Sequence, residues 1–310
     1  MRHQRDAFIT ELFQRAKGDK DIFLLSADFG APALDQFREQ LPDQFIHCGI
    51  SEQNMVDVAA GLALDGRRVF CYAMAPFVSL RCLEQHKCAA GIMDLPVCTL
   101  VAGVGLGYAD AGPTHYATED LACLRAIVNS HVLTAGDAET ARLLAVDAVE
   151  RPRFSFVRLE RHPSADLMPR ATLDDVRRGF RLLREGRRLA VITQGFMLSV
   201  ALEAIGEDGF AGVALVDLIQ AKPIPGELVD LIAGCDAVLT IEEQTPSGGL
   251  GAAVLEAMVD RGLMKPCHRL TLPERYFFEN GGRAKLLELG RLSPLHIAQK
   301  IKAILAAAPA

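Results

Sequence analysis

No pair among the eight cysteines has CxxC spacing, and the eight histidines show neither HxxxH nor HxH spacing. This excludes a recognisable zinc site and argues against a disulfide framework. Most of the cysteines sit in apolar stretches and read as small buried hydrophobes of a reducing compartment. Basic charge is not in excess: 33 Lys and Arg against 39 Asp and Glu leave a formal charge of −6. The chain therefore has no basic footprint for nucleic acid and no polybasic surface for anionic lipid. No apolar run approaches the ~20 residues that span a bilayer. The opening MRHQRDAFITELFQRA lacks the apolar core of a signal peptide and reads as an amphipathic helix. There is no internal repeat, and no low-complexity tract beyond the terminal AAAPA. Together these absences predict a soluble, cytoplasmic, globular protein that partners neither nucleic acid nor membrane.

What the chain does have is apolar material for a large core: 50% of its 310 residues are hydrophobic and 23% charged. At ~150 residues per domain the length suits two domains. Strand-like runs at 22–28, 68–74, 96–103, 131–136 and 154–159 alternate with helical patterns at 5–17, 53–65, 78–92, 118–127 and 137–150. Runs continuous in Val, Ile, Leu and Phe predict strands covered on both faces, hence a mostly parallel sheet between layers of helices. A polar, Pro-containing stretch from Arg161 to Asp174 then breaks the pattern. A second α/β series follows, with strands at 189–195, 212–225, 237–244 and 267–273 and a helix at 294–307. The expected fold class is α/β: two three-layer α/β/α domains with mostly parallel sheets, over 1–162 and 177–310, joined by a linker at 163–176.

Two segments carry candidate chemistry. Glu52 follows the short apolar stretch Phe45-Ile46 and stands at the head of the small, apolar helix MVDVAAGLAL. Partial desolvation there predicts a raised pKa and a group fit for proton transfer near neutrality. The competing reading is a helix-initial Glu favoured by the macrodipole, with Ser51 as N-cap. The second segment, Val101 to Arg125, places Gly103, Gly105 and Gly107 after a strand and ends in Thr114-His115 before a helix. Its spacing is GxGxG, not GxGxxG, and the loop continues instead of opening a helix, so a phosphate cradle is poorly supported. His115 lies at the C-terminal side of a strand, where ligands bind in α/β sheets. There it reads as a proton-transfer or hydrogen-bonding group, against the alternative of a satisfied loop histidine.

GISEQNM, followed about 60 residues later by Gly-Pro-Thr-His-x₃-Glu-Asp, resembles the pyrimidine-binding half of transketolases and their relatives, including 1-deoxyxylulose-5-phosphate synthase. VDLIQAKPIP, TIEEQTPSGGLGAAVLE and LPERYFFENG resemble the C-terminal domain of the same family, in the same order. The nearest shape is the C-terminal subunit of a split transketolase. The resemblance implies transfer of a two-carbon ketol unit between a ketose and an aldose, with thiamine diphosphate and Mg²⁺ as cofactors. It implies that Glu52 bonds N1′ of the aminopyrimidine, that Phe77 contacts the pyrimidine ring, and that Leu80 stands where a second aromatic is common. His115 then contacts sugar oxygens, Asp28 lies near the thiazolium and the substrate channel, and Arg5 and Arg158 bind a sugar phosphate. For Phe77 the alternative is core packing, for Asp28 a helix N-cap, and for the two arginines a solvated charge.

Three departures from the family stand out. Gly103, Pro32 and Ala111 occupy positions where the family carries His, Ser and Asp, and losing those groups predicts a less charged or differently shaped acceptor. The Gly-Asp-Gly metal motif is absent, since Glu207-Asp208-Gly209 lies on the wrong side of the chain order. The resemblance therefore implies an N-terminal partner subunit bringing the diphosphate and metal sites, with the heterodimer itself dimerising. Glu242, Glu243 and Gly248-Gly249-Leu250-Gly251 read as packing and dimer elements. The alternatives are a deoxyxylulose-phosphate-synthase-like subunit, a 2-oxoacid dehydrogenase β subunit and a non-catalytic partner that keeps the fold.

Overall fold

The structure, a computed structural model, describes residues 1–206 and 210–307, so the Glu207-Asp208-Gly209 triplet lies outside the described residues. Twelve strands are described: β1 (Ile22–Ala27), β2 (Phe45–Gly49), β3 (Arg68–Met74), β4 (Val97–Ala102), β5 (His131–Thr134), β6 (Ser155–Leu159), β7 (Phe180–Arg184), β8 (Leu189–Thr193), β9 (Val213–Leu218), β10 (Gln220–Lys222), β11 (Ala237–Ile241) and β12 (Cys267–Leu270). The helices of the first half are α1 (Gln4–Ala16), α2 (Ala33–Gln40), α3 (Glu52–Leu64), α4 (Ala75–Ser79), α5 (Leu83–Gln85), α6 (Asp120–Ala126) and α7 (Ala138–Glu150). Those of the second half are α8 (Leu173–Arg178), α9 (Met197–Ile205), α10 (Gly226–Ala233), α11 (Leu250–Asp260), α12 (Gly282–Leu289) and α13 (Pro294–Ala307). No described helix is long and apolar enough to cross a membrane.

The strands form a seven-stranded sheet, ordered β10-β5-β6-β4-β3-β1-β2, and a five-stranded sheet, ordered β12-β11-β8-β9-β7. Pairing is parallel throughout except where β10 meets β5 and β7 meets β9. Every residue of β4, β6, β8, β9 and β11 is buried, as a sheet covered by helices on both faces requires. In α1, Phe8, Ile9, Leu12, Phe13 and Ala16 fall on one face and are buried, the 3–4 residue spacing that seats a helix on a core. The expected α/β class and largely parallel sheets are what the chain forms.

Several local expectations change. The single helix expected at 78–92 is broken into α4, α5 and a widened turn at His86–Gly91. The break accommodates His86, which is fully buried, bonds the Val78 carbonyl oxygen through Nε2 at 2.8 Å and sits edge-on to Phe156. Burial lowers the pKa of His86 to about 4, so the ring is neutral in this apolar site. The strand expected at 212–225 divides: β9 stays in the second sheet, while β10 crosses to the first and pairs Gln220 with Leu133. Helix α8 begins inside the expected linker, because Thr172 and Asp175 form a capping box and Gly179 closes the helix at φ +87°.

A buried charge cluster also joins the halves. Arg181 of β7 reaches Asp217 of β9 at 2.9 Å and Asp137, the N-cap of α7, at 3.2 Å. Burial pushes the Asp217 carboxyl up to about 7; Arg181 pulls it down and Asp137 adds to the rise. An unfolded Asp titrates near pH ~3.9, so between that pH and about 7 the folded state binds the extra proton. The associated stability is present at the acidic end of this window and lost as pH rises through it. We expect melting temperatures of wild type and Asp217→Asn to diverge between about pH 4 and pH 7, the wild type losing more as pH rises. Parallel curves would show that this carboxyl does not exchange protons on unfolding.

Candidate active site

Most candidate groups gather beyond the C-terminal ends of β1, β2, β3 and β4, the side of an α/β sheet where ligands bind. Glu52 opens α3 directly after β2 and is 5% exposed. Ser51 is the N-cap residue but makes no side-chain capping bond; its hydroxyl donates to the Cys48 carbonyl instead. The carboxylate is not left alone in its apolar seat, because Arg81 Nη1 donates to Glu52 Oε2 at 2.7 Å. The same guanidinium lies over the ring of Phe77, 4.5 Å from its centroid. Phe77 in turn meets His115 edge-on at 5.4 Å. His115 pairs through Nδ1 with Thr114 Oγ1 at 2.9 Å and faces Tyr108 at 6.2 Å. Glu52, Phe77 and His115 thus form one chain of contacts, Arg81 joining Glu52 to Phe77 and Phe77 meeting His115.

The remaining candidates fall into place around this strip. Leu80 follows the last residue of α4 and is 39% exposed. Asp28, exposed just beyond β1, caps no helix: α2 begins after Pro32 with no side-chain cap. Arg5 is half-buried and bonded to Asp6 at 3.1 Å. Arg158, expected to bind a sugar phosphate, is paired inside the domain. It is 2% exposed, its Nε and Nη2 bond both oxygens of Asp120 at 2.8 and 2.9 Å, and its Nη1 bonds Thr134 Oγ1 at 3.0 Å. Three of its five N–H groups are engaged inside the domain, so Arg158 anchors the start of α6.

The glycine loop serves close packing. Gly103 has φ +83°, and a Cβ there would lie 2.0 Å from the Tyr108 ring. Gly105 has φ +60°, and its Cβ would lie 2.5 Å from Glu243 Oε2. The room left by Gly103 is therefore filled by Tyr108. That ring is stacked under Arg161 at 4.3 Å, and its buried hydroxyl has no partner among the described residues. The neighbouring Phe29 stacks on Tyr72 at 5.3 Å, extending the aromatic floor. On the other side of the domain boundary, Glu242 accepts from the Leu250 and Gly251 amides at the head of α11. A Cβ on Gly249 would lie 2.1 Å from that carboxylate, so the packing expected of this glycine turn is present.

The sequence reading missed Arg81, Tyr108 and Arg161. Arg81 had a usable signal, since it stands four residues after Phe77, the separation at which helical side chains meet. Tyr108 and Arg161 had none, because they meet only through the tertiary fold. The strip also tests whether an aminopyrimidine fits. Such a ring needs a buried carboxylate for its N–H and an aromatic face to lie on. The guanidinium of Arg81, planar and rich in N–H, already satisfies both contacts and so stands in for the ring. Glu52 and Phe77 are the residue types such a ring needs, and Arg81 lies on both. Among the described residues no group of three or more His, Cys, Asp and Glu side chains is arranged to hold a metal ion.

Comparison with known proteins gives the same direction. Residues 3–164 match the transketolase pyrimidine-binding domain and residues 179–297 the transketolase C-terminal domain. The chain is similar to an apulose-4-phosphate transketolase subunit of Phocaeicola vulgatus, 32% identical over 259 residues, covering 82% of this chain and 83% of that protein. It is also 34% identical over 309 residues to the 1-deoxy-D-xylulose-5-phosphate synthase of Gloeobacter violaceus, covering 94% of this chain but only 46% of the synthase. Among solved structures it resembles a split-gene transketolase, described as an inactive β4 tetramer, at TM-score 0.84 and 28% identity over 98% of both chains. A transketolase of Pichia stipitis shares the fold at TM-score 0.78 and 17% identity, covering 98% of this chain and 46% of that one.

Proposed function

The chain belongs to the transketolase family, and from that premise we propose that it is the C-terminal subunit of a heteromeric, thiamine-diphosphate-dependent transketolase. Its reaction moves a two-carbon ketol unit from a ketose donor to an aldose acceptor. The observation that carries this reading is the stacking of Arg81 on Phe77 while it bonds Glu52, which marks a slot for a planar N–H donor. When bound, thiamine diphosphate supplies the nucleophilic carbon that the protein lacks. In this reading Glu52 holds the proton shared with N1′ of the pyrimidine, while Phe77 and Leu80 flank the ring. His115, on the loop facing the same strip, bonds oxygens of the sugar; Asp28 lines the approach, and Arg5 contributes positive charge. Mg²⁺ and the diphosphate are assigned to an N-terminal partner subunit, and two such heterodimers are expected to associate. The split-gene neighbour matched over 98% of both chains, and the Phocaeicola relative that is itself named as one subunit of a transketolase, support that arrangement.

The acceptor is proposed to be less charged than a pentose phosphate. Gly103, Pro32 and Ala111 supply no side-chain donor, and Arg158 is spent on Asp120. A phosphorylated substrate is the second reading, favoured by the relative whose name specifies apulose 4-phosphate. A synthase-like subunit is also represented among the relatives, and replacing the ketose donor by pyruvate in the assay separates it.

Three outcomes are expected. Ketol transfer should require co-expression with an N-terminal subunit, and full turnover by the purified chain alone would overturn the subunit assignment. In the assembled enzyme Glu52→Gln should assemble normally but lose ~10²–10⁴ in rate, because an amide cannot share the ring proton. Hydrogen–deuterium exchange at C2 of the bound thiamine diphosphate should slow in parallel; unchanged exchange refutes the role of Glu52. Finally, kcat/KM for free aldoses should match or exceed that for aldose phosphates. A hundredfold preference for the phosphorylated acceptor, about 2.7 kcal/mol in transition-state binding, would show that the three unarmed positions do not set specificity.

A further inference from the structure

His115 sits on a loop that is closed by one short antiparallel bridge: the Gly105 amide donates to the Ala117 carbonyl at 3.1 Å and the Ala117 amide to the Gly105 carbonyl at 2.9 Å. The second domain stitches this closure from outside. Gln244, 2% exposed, donates through Nε2 to the same Ala117 carbonyl at 2.9 Å and accepts from the Leu121 amide at 3.3 Å. The next residue, Thr245, donates its amide to the Thr118 carbonyl at 2.9 Å. Just before Gln244, the Glu243 carboxylate packs against the Cα face of Gly105, where any Cβ would collide with it. That carboxylate is held by Arg283, whose Nη1 also reaches Glu160 at 2.7 Å. The His115 amide donates to the Gly112 carbonyl at 3.0 Å, and its ring touches one hydroxyl and two aromatic rings, so the ring direction follows the placement of the loop.

We propose that Gln244, supplied by the C-terminal domain, is a positioning residue that sets the loop carrying His115 against the substrate strip. The residue type follows from the geometry. One side chain must donate to a carbonyl and accept from an amide at the same time, which a primary amide does and Glu or Leu does not. Removing it leaves the Leu121 amide, in the unpaired first turn of α6, without its acceptor. This gives the C-terminal domain, which brings no group of its own to the strip, a part in the chemistry. The inference rests on the proposed substrate-facing role of His115.

The test uses the assembled two-subunit enzyme in four forms: wild type, Gln244→Leu, His115→Ala and the double variant. Gln244→Leu should lower kcat/KM about tenfold or more, the scale of one misplaced hydrogen bond in the transition state, with subunit assembly and thiamine diphosphate affinity unchanged. The double variant should be no slower than His115→Ala alone, because Gln244 acts only through that ring. Independent, multiplying losses in the double variant would overturn the proposal. A readout free of turnover accompanies it: in the same complex, isotope-labelled histidine should show the His115 ring resonances displaced by Gln244→Leu and by the milder Gln244→Glu. Unmoved resonances in whichever variant folds would equally overturn it. If His115→Ala keeps full activity, the reading of His115 is what fails, and the resonance shift alone then decides whether Gln244 places the loop.

Discussion

Arg283, its side chain 9% exposed, lies between two carboxylates of different parentage, Glu160 after β6 and Glu243 after β11, with its guanidinium 3.6 Å from the ring centre of Phe196. Burial opposes its charge, but the two carboxylates more than reverse that and hold its pKa above its ordinary value. Such a cluster is a poor source of net stability, since the desolvation of three charges offsets most of their attraction. Its effect is geometric: a fork with fixed directions accepts only one placement of the two domains. Glu160 also accepts from the Arg161 and His162 amides, and its own amide donates to Gln4 of α1. One cation thus fixes the first helix, the end of β6 and the β11–α11 turn together, and the glycine loop is built on that frame.

The same device recurs twice. Arg181 bridges Asp137 and Asp217, and Arg158 bridges Asp120 and Thr134. Each arginine joins elements distant in sequence, and in two of the three cases the elements belong to different sheets. Together with β10, which leaves the second half to extend the first sheet, the Arg283 and Arg181 bridges make the domains interlock. Removal of one arginine would strand a buried carboxylate, which costs more than the pair contributes. That asymmetry explains why such clusters hold relative domain placement so firmly.

The fold was legible where the chain is monotonous. LAVIT, VALVDL and AVLTI are buried at every position, and an unbroken apolar run says as much without any structure. Glu52 and His115 were singled out by the ordered motifs around them, GISEQNM and Gly-Pro-Thr-His, more than by their local setting. What stayed hidden depends on partners far along the chain. Arg158 looked like a ligand until Asp120, thirty-eight positions away, took both ends of its fork. At Gly103 the hidden fact is nearer, since the loop turns Tyr108 back over the glycine and fills its space. The capping box at Thr172 was present in the sequence, yet polarity and prolines nearby gave that segment the character of a linker. Composition spoke louder there than the cap.

The Glu52 seat shows how structure and function are coupled in one contact. A carboxylate buried at a helix head needs a donor, for an unpaired charge in that position carries a large desolvation penalty. Arg81 supplies it, and by lying on Phe77 it also covers an aromatic face that would otherwise be wet. A heteroaromatic ring that binds there must take over both contacts at once, so it competes with a side chain already matched to the site in shape and in donors. In the proposed function, seating the pyrimidine on Phe77 and Glu52 therefore requires Arg81 to give up both contacts.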